Sequence, residues 1–386
     1  MIDIGLDSFW VKGVGEAWRP LWWHEQLGQP QDGRNRLDGI ELLFLLLPAL
    51  ARDISLRQNL REGHGVFLGS ECRPNPSGCR GHGLDSDCML NRGYAYTSII
   101  SGRDHGQTLL AHLAGLYPHS TPQEWQQNLN NGEVILDGVP ASGSELLAAG
   151  QTLVWNRPAW EEPDVPAHFD VLLDDPWLLA VSKPSGLPTL PGGGFMENTL
   201  LYRVQQHTPG ANPVHRLGRG TSGIVLFAKT AQAASKLTAD WNTPKIQKIY
   251  RALAQGRAEQ DVWEILTPIG PVPHPRIGSV WAACKCGKPS RSLAKVIARG
   301  SDTTTFEVSL YSGRPHQIRI HLASIGHPLV GDPLYGAGGL PLEDLPGLPG
   351  DGGYWLHAQF LSFEHPITGE AIHLEAALPK GFAEHS

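Results

Sequence analysis

The 386-residue sequence predicts an α+β protein in which a small α+β domain precedes a larger one. Residues 106–155 place two helical patterns before short strands, and strand-like and helix-like segments alternate from 169 to about 380. Between them lies "NRPAWEEPDVPAH", which is rich in proline and acidic residues, as linkers are. The predicted parts are an N-terminal extension (1–88), a small domain (89–155), a linker (156–168) and a large domain (169–380).

The N-terminal extension differs from the rest in composition. It holds four tryptophans and many Gly, Arg and Pro residues, and only residues 37–51 show a helical pattern. Met89 then stands at a plausible start of the folded chain. We interpret 1–88 as a poorly packed extension or an upstream read-through of the coding frame, and peptides from before Met89 would exclude the read-through.

The small domain is predicted from two helices and two strands. "GQTLLAHLAGLY" spaces its leucines at helical intervals, and a second helix begins at Ser120 or Thr121 with Pro122 and a capping-box Glu124. "EVILDGVPA" and "GQTLVW" are strands, the first running into an Asp-Gly turn. This order resembles the small S-four-like RNA-binding domain named after a ribosomal protein; a generic α+β domain is the alternative.

Charge is unevenly distributed along the chain. The net charge is −7, yet residues 201–260 hold nine basic and two acidic residues, so this window carries +7 and the remainder −14. A basic surface on an acidic body suits a protein that steers a polyanion to one face. The alternative is a solvated surface with basic residues clustered by chance.

Cysteine usage and hydropathy indicate a cytoplasmic protein without membrane association. The longest apolar run, "IELLFLLLPAL", is too short to cross a bilayer, and no signal peptide precedes it. The cysteines lack paired zinc spacing, so free thiols and no metal are expected, with a zinc site helped by His64 and His82 as the alternative. Nothing indicates oligomerisation, so a monomer is expected. The cysteines are Cys72, Cys79, Cys88, Cys284 and Cys286.

Five stretches of the large domain carry its recognisable motifs. A strand rises to Lys183 and turns, Lys248, Tyr250 and Ala252 alternate on another strand, and Arg314 to His321 begin a helix. The Gly- and Pro-rich residues 335–354 predict a long surface loop. The stretches are "FDVLLDDPWLLAVSKPSGLPT" (169–189), "VHRLGRGTSGIVLFAKT" (214–230), "KIQKIYRALAQG" (245–256), "SGRPHQIRIHLASIGHPLVGDPLYG" (312–336) and "LHAQFLSFEHPITGE" (356–370).

In their order and spacing these five stretches resemble the motifs of RluA-type pseudouridine synthases, over about residues 168–376. Taken singly each has a plainer explanation, such as an exposed helix start or a core histidine at His357. The resemblance implies a central, mostly antiparallel sheet flanked by helices, with the motifs lining one cleft. It also implies the isomerisation of uridine to pseudouridine in a structured RNA, ribosomal or transfer, without a cofactor or metal.

The resemblance assigns roles to particular residues. The target nucleotide is flipped out of its helix, and Arg216 fills the vacated space. Tyr250 stacks on the uracil and helps to move its C5 proton, while Arg319 pairs with a catalytic carboxylate. The RNA-binding residues implied are His215, Arg216, Arg219, Lys248, Arg314 and His316.

The sequence departs from the family at its reactive group. The catalytic aspartate of the family falls on Gly218, and a common second acid falls on Gly220. Glycine offers no side chain in place of either carboxylate. We therefore expect Arg319 to lack its usual partner.

Three functions stay open after this departure. The protein isomerises uridine with an acid from elsewhere; it is a catalytically inactive RNA-binding or RNA-chaperone member of the family; or the site binds an anion such as a nucleotide phosphate and catalyses another reaction. We favour the first, because a pure binder has little need for Tyr250 or Arg319. The acids nearest to motifs are Asp170, Asp174 and Asp175, expected at a strand edge, and Asp332, expected in a turn.

Overall fold

A computed structural model describes residues 9–11, 19–21, 90–117, 120–344 and 346–382. The predicted helix at 37–51 and the cysteines before residue 90 lie outside the described residues. Phe9–Val11 (β1) and Arg19–Leu21 (β2) pair antiparallel. The chain divides into two compact units, Met1–Cys88 with Gly93–Pro158 and Met89–Arg92 with Ala159–Ser386.

Residues 93–158 form a small α+β unit. Its sheet has the order β3-β6-β4-β5, and Leu109, Leu113 and Trp125 are fully buried beneath it. The predicted capping box is confirmed, because the Thr121 hydroxyl accepts from the Glu124 amide while the Glu124 carboxylate accepts from the Thr121 amide. The elements are β3 (Tyr94–Ile99), α1 (Leu109–Leu116), α2 (Pro122–Asn130), β4 (Val134–Leu136), β5 (Val139–Pro140) and β6 (Thr152–Arg157).

The larger unit contains the remaining described strands and three helices. Its strands are β7 (Asp170–Asp174), β8 (Leu178–Lys183), β9 (Asn212–Pro213), β10 (Ser222–Ala228), β11 (Gln247–Gln255), β12 (Val262–Ile265), β13 (Ile269–His274), β14 (Gly278–Ala283), β15 (Ser292–Arg299), β16 (Thr303–Leu310), β17 (Leu356–Glu364) and β18 (Ala371–Glu375). Its helices are α3 (Leu200–His207), α4 (Ala231–Asp240) and α5 (Gln317–Ser324).

A mixed, mostly antiparallel sheet forms the centre of this unit, as predicted. Its strand order is β12-β15-β16-β11-β17-β10-β8-β7, with β18 added to β17 and β9 to β10. Among the strands that the structure describes in this sheet, β10 and β17 pair in parallel and the others antiparallel. Since β10 is buried along its whole length, it is a central strand with both faces covered.

Two segments expected to be loose are packed against this unit. Of the predicted linker, Glu162 accepts hydrogen bonds from the amides of Met196, Glu197 and Asn198, so residues 159–168 are attached to the larger unit. The predicted loop after Tyr335 is irregular, but it is not merely a surface loop. A Cβ on its Gly347 would lie 2.6 Å from the Pro333 carbonyl oxygen, which shows how closely it packs.

The described part of the chain bears on three expectations, which concern metal ligands, membrane spans and cysteines. No group of three or more His, Cys, Asp or Glu side chains there could hold a metal ion. None of the described helices has the length and hydropathy to cross a bilayer. Cys284 and Cys286 form a disulfide, so the expectation of free thiols is wrong for this pair.

Candidate active site

The loop that precedes β10 is held by the turn that follows β8. The Lys183 ammonium donates to the carbonyl oxygens of Pro184, Leu187 and Arg219 at 2.9, 2.7 and 3.2 Å. The Ser185 hydroxyl donates to the Gly220 carbonyl at 2.7 Å. These bonds fix the backbone of the loop without using any of its side chains.

Lys183 is a clamp for this loop. Only 1% of the residue is exposed, and burial lowers its pKa to about 7. Its three carbonyl partners can accept all three hydrogens of the charged form, which opposes the effect of burial. The lysine therefore stabilises the loop from inside and is not available to a substrate.

Gly223 joins the loop to the centre of the sheet. Its φ is +107°, a conformation that side-chain-bearing residues rarely adopt, and a Cβ there would lie 2.2 Å from the Ala358 carbonyl oxygen. Gly223 pairs with Ala358, which also pairs with Tyr250 on the far side of β17. Tyr250 therefore lies two strand spacings, about 10 Å, from the loop's end.

Arg319 has a carboxylate partner, contrary to expectation. Its Nε and Nη2 donate to the two oxygens of Asp332, each at 2.7 Å, and the side chains are 2% and 1% exposed. Burial alone would lower the pKa of Arg319, but its hydrogen bonds to Asp332 and its attraction to Tyr354 raise it. The expectation failed because the partner comes from the turn after α5 and not from the loop.

Asp332 also organises its own turn, as predicted. Its Oδ1 accepts from the amides of Leu334 and Tyr335 at 2.9 and 3.0 Å. With the two bonds from Arg319, its carboxylate accepts four donors. Three of these donors reach Oδ1 and the Arg319 Nε reaches Oδ2, so the carboxylate serves as a structural anchor for Arg319.

Tyr354 links the loop to Arg319. Its hydroxyl lies 3.2 Å from the Thr221 hydroxyl, and the Arg319 guanidinium lies 4.2 Å from its ring centre. A Cβ on Gly218 would lie 3.0 Å from the Tyr354 hydroxyl oxygen, and one on Gly220 would lie 2.9 Å from two ring carbons. Tyr354 thus fills the space beside the two glycines.

Sequence reasoning missed Tyr354. The residue lies at the end of the stretch interpreted as a loop, two positions before the "LHA" motif. An aromatic residue beside that motif was the available signal, but nothing local indicated that it faces residues more than 130 positions earlier.

Tyr250 packs against two core clusters, one that includes a loop residue and one that includes Tyr354. The first of these clusters contains Leu217, from the loop, and Ala358. Burial raises the pKa of Tyr250 to about 12, so its hydroxyl stays protonated at neutral pH. Among the described residues, no hydrogen-bond partner is found for that hydroxyl.

His316 stands at the start of α5 near two arginines. Its φ is +53°, and its Nδ1 lies 2.8 Å from the Tyr335 hydroxyl, which itself donates to the Trp281 carbonyl. Nδ1 therefore donates. Burial, followed by the charges of Arg319 and Arg216, lowers the pKa of His316 to about 3, so the ring is neutral.

His215 and Lys248, two predicted RNA contacts, are used by the fold. The His215 Nε2 accepts from the Leu226 amide at 3.1 Å, and its ring stacks on Trp241. Burial and the Lys248 charge lower the pKa of His215 to about 3. The Lys248 ammonium is buried and donates to the Trp241 carbonyl at 2.7 Å. Both residues therefore contribute to packing, and their contact with RNA stays a prediction.

The basic window 201–260 does not form one surface. Lys229 pairs with Asp174 at the far end of β10, roughly 23 Å along the strand from Ser222. Lys245 pairs with Asp240, and Arg257 donates to the Gly300 carbonyl. Basic side chains near in sequence are separated because successive elements carry them to different edges of the sheet.

Two of the arginines predicted to bind RNA belong to the loop, and the third lies just before α5. Arg216 is exposed on the loop, and the Arg219 guanidinium lies 5.5 Å from the ring centre of Phe195. Arg314 precedes α5 and donates to the Pro289 carbonyl. Their contact with RNA stays a prediction.

The other candidate acids lie away from the loop. Asp170 and Asp174 belong to β7, the edge strand, with β8 between it and β10. Asp175 accepts from the amides of Trp177 and Leu178 before β8 begins. Asp174 and Asp175 lie at the end of β8 opposite to the loop, whereas Asp170 pairs with Ser182 near the loop end but is separated from β10 by β8. Their ion-pair partners are His168, Lys229 and His365, none of which belongs to the loop, so we do not assign these carboxylates to the missing position.

Comparisons with known proteins agree with this arrangement. The sequence profile of the family described as RNA pseudouridylate synthase matches residues 178–324. An uncharacterized RNA pseudouridine synthase of Synechocystis is 42% identical over 265 residues, which are 68% of this chain and 91% of the relative.

Two other relatives extend the comparison. RNA pseudouridine synthase 5 of Oryza sativa is 38% identical over 75% of this chain and 88% of its own length. Ribosomal large subunit pseudouridine synthase D of Neisseria meningitidis is 35% identical over 71% of this chain and 76% of its own length.

Proposed function

Because this chain belongs to the RNA pseudouridine synthase family, we propose that it isomerises uridine to pseudouridine in RNA at the site formed by loop 214–221, Tyr250 and Arg319. The reaction breaks the bond from ribose C1′ to uracil N1 and joins C1′ to C5. The family is one of isomerases that act on RNA.

The convergence of the site on Tyr354 and Ala358 is the observation that carries this proposal. Tyr250 and Gly223 both pair with Ala358, while Tyr354 contacts the loop and Arg319. Residues far apart in sequence thus meet beside the exposed backbone of Gly218. A protein that only bound phosphates would gain little from the buried guanidinium of Arg319 and the buried ring of Tyr354 at this place.

Each group has a proposed role. Arg216 fills the space of the flipped nucleotide and holds a phosphate. Tyr250 stacks on the uracil, and its hydroxyl, which is protonated at neutral pH, relays the C5 proton by accepting one proton as it donates its own. Arg319 offers its Nη1 as a hydrogen-bond donor to the substrate. This atom is buried and finds no hydrogen-bond partner among the described residues.

Ribosomal RNA is the substrate that we propose first, with transfer RNA as the alternative. The relative from Neisseria meningitidis is named for the large ribosomal subunit. Residues 93–158 hold two basic and five acidic residues, so we place the phosphate contacts on the larger unit and not on the S-four-like part. We also propose that it acts as a monomer in the cytoplasm.

A non-catalytic RNA-binding role is the second candidate. Gly218 and Gly220 favour it, because neither supplies the carboxylate that the family's reaction uses. The two candidates differ in whether the C5 hydrogen of uridine is lost.

Tritium release tests the proposed function. Total RNA labelled with tritium at C5 of uridine, taken from cells that lack this protein's gene, is incubated with the protein. Release of label is expected from the wild type, with a fall of at least about 100-fold in Arg319→Lys, which loses the two-pronged pairing with Asp332. RNA binding without release would support the second candidate.

A further inference from the structure

The place left by the missing carboxylate is occupied by a phenol. Standard bond lengths put the carboxylate oxygens of an aspartate about 2.4 Å from its Cβ. The Tyr354 hydroxyl oxygen lies 3.0 Å from the position of a Cβ on Gly218. The distance of the Tyr354 oxygen from this Cβ position therefore differs by less than about 1 Å from the distance at which the family's carboxylate oxygens would lie.

The surroundings of Tyr354 fix the position of its hydroxyl. Thr221 holds the hydroxyl through a hydrogen bond, and the Arg319 guanidinium covers the ring. A cation over a phenol stabilises charge that develops on its oxygen. Because Asp332 anchors Arg319 by two bonds, this cation cannot move away from the ring.

Among the described acids, Asp351 is the alternative that could supply an oxygen beside Gly218, whereas the contacts of Asp332 assign it another role. The Asp332 carboxylate is 1% exposed and accepts four hydrogen bonds that hold it against Arg319 and its own turn. Asp351 adjoins Gly352, whose Cα lies 3.0 Å from the Cβ position of Gly220, and its Oδ2 accepts from the Leu348 amide. Asp351 is therefore the alternative source of an oxygen, although none of its measured contacts reaches the loop.

Building on the proposed function, we propose that Tyr354 is a catalytic residue whose hydroxyl oxygen attacks C1′ of the target ribose in place of a carboxylate. Tyrosine is a known nucleophile at glycosidic carbon in other enzyme classes. The catalytic oxygen thus comes from the segment before β17 and not from the loop before β10.

The chemistry balances without a further reactant. As the Tyr354 oxygen bonds to C1′, the C1′–N1 bond breaks, its electron pair leaves with uracil, and the phenolic proton passes to the departing base. After the base turns, C5 bonds to C1′, the C1′–O bond breaks, and its electron pair returns to the tyrosine oxygen. That oxygen takes the proton that C5 loses, which regenerates the phenol and leaves pseudouridine protonated on N1.

Replacing the hydroxyl alone tests the proposal. Tyr354→Phe keeps the ring against Arg319 and both glycines, so the fold and the affinity for RNA are expected to persist. Single-turnover tritium release is measured with enzyme in excess over total RNA labelled at C5 of uridine. The rate is expected to fall at least about 100-fold in Tyr354→Phe, about fivefold in Thr221→Val because the hydroxyl loses its anchor, and less than about twofold in the control Asp351→Asn.

The outcomes separate this inference from the proposed function. If the wild type releases label and Tyr354→Phe releases it with a fall below about tenfold, the inference is overturned while the function stands. Loss of activity in Asp351→Asn with activity kept in Tyr354→Phe would assign the oxygen to Asp351 and also overturn it. Should Tyr354→Phe fail to fold, an unchanged rate in Thr221→Val decides against the inference. Absence of release from the wild type overturns both.

Discussion

The two walls of the site are held together by different means. The loop before β10 is fixed through its backbone, by Lys183 and Ser185, and exposes Gly218 at its surface. The wall at α5 is fixed through side chains, by the buried pair of Arg319 and Asp332. The loop could therefore lose its reactive side chain without losing its shape, whereas the helix wall depends on each partner of the pair.

Adding a methyl group at either of two glycines of the loop wall should lower the unfolding free energy by very different amounts, and one of these is the largest effect that we expect. Gly223→Ala places a Cβ 2.2 Å from a backbone oxygen at a φ of +107°, so we expect a loss above about 4 kcal/mol or failure to fold. Gly218→Ala meets a hydroxyl at 3.0 Å without an unusual φ, so we expect below about 1.5 kcal/mol. Urea unfolding measures both, and equal losses would contradict a tightly packed loop end.

Breaking the pair on the helix wall should cost nearly as much. Asp332→Ala leaves Arg319 charged and buried, for which about 3–5 kcal/mol of unfolding free energy is expected. Asp261→Ala is the matched control, because it breaks an exposed pair with Arg299 and should cost at most about 1 kcal/mol. Similar losses in the two variants would show that the helix wall does not depend on its buried pair.

Acid should weaken the strand behind the loop through His215. Burial and the nearby Lys248 lower the folded pKa of His215 to about 3 from 6.5, so the unfolded chain binds its proton first as the pH falls. Its contribution is complete above pH 6.5 and is lost towards pH 3, at up to about 1.4 kcal/mol per pH unit. Unfolding free energies from pH 7 to 4 should fall less steeply in His215→Asn than in the wild type.

The exposed His168 supplies the control for that series. His168→Asn is measured in the same series, because this side chain is 88% exposed and its replacement removes a histidine from the surface. A slope that is the same in His215→Asn and the wild type would mean that the histidine is not held neutral by the fold.

The smallest expected effect concerns the outer face of the loop wall. Arg216→Ala should weaken RNA binding by about threefold to tenfold and reduce the salt slope by about one. Filter binding of the same total RNA at several salt concentrations measures it, with Lys229→Ala as a basic control at the far end of β10. An equal loss in both variants would indicate that RNA does not select this face.

Local signals predicted local structure well. The cap of α2, the turn at Gly331-Asp332 and the strand that carries Tyr250 follow from residues within a few positions of one another. The family motifs likewise indicated the mixed, mostly antiparallel sheet, because their order reflects a shared fold.

The site was less predictable, because its contacts join distant segments. Tyr354 reaches Thr221 across 133 positions, and no spacing rule connects them. The resemblance implied that Lys248 and His215 bind RNA, and it did not indicate that Trp241 contacts both of them in the fold. The partner of Arg319 was missed because Asp332 served an evident turn, and one carboxylate can both cap a turn and pair with a charge.

Nucleoside mass spectrometry in vivo tests most directly whether a site without a carboxylate on its loop forms pseudouridine. Ribosomal and transfer RNA are digested from cells that lack the gene, from the same cells carrying the wild type, and from cells carrying Arg319→Lys. We expect the wild type to restore at least one pseudouridine that is absent in the other two. An unchanged pseudouridine content in all three, with wild-type protein bound to RNA, would contradict this expectation.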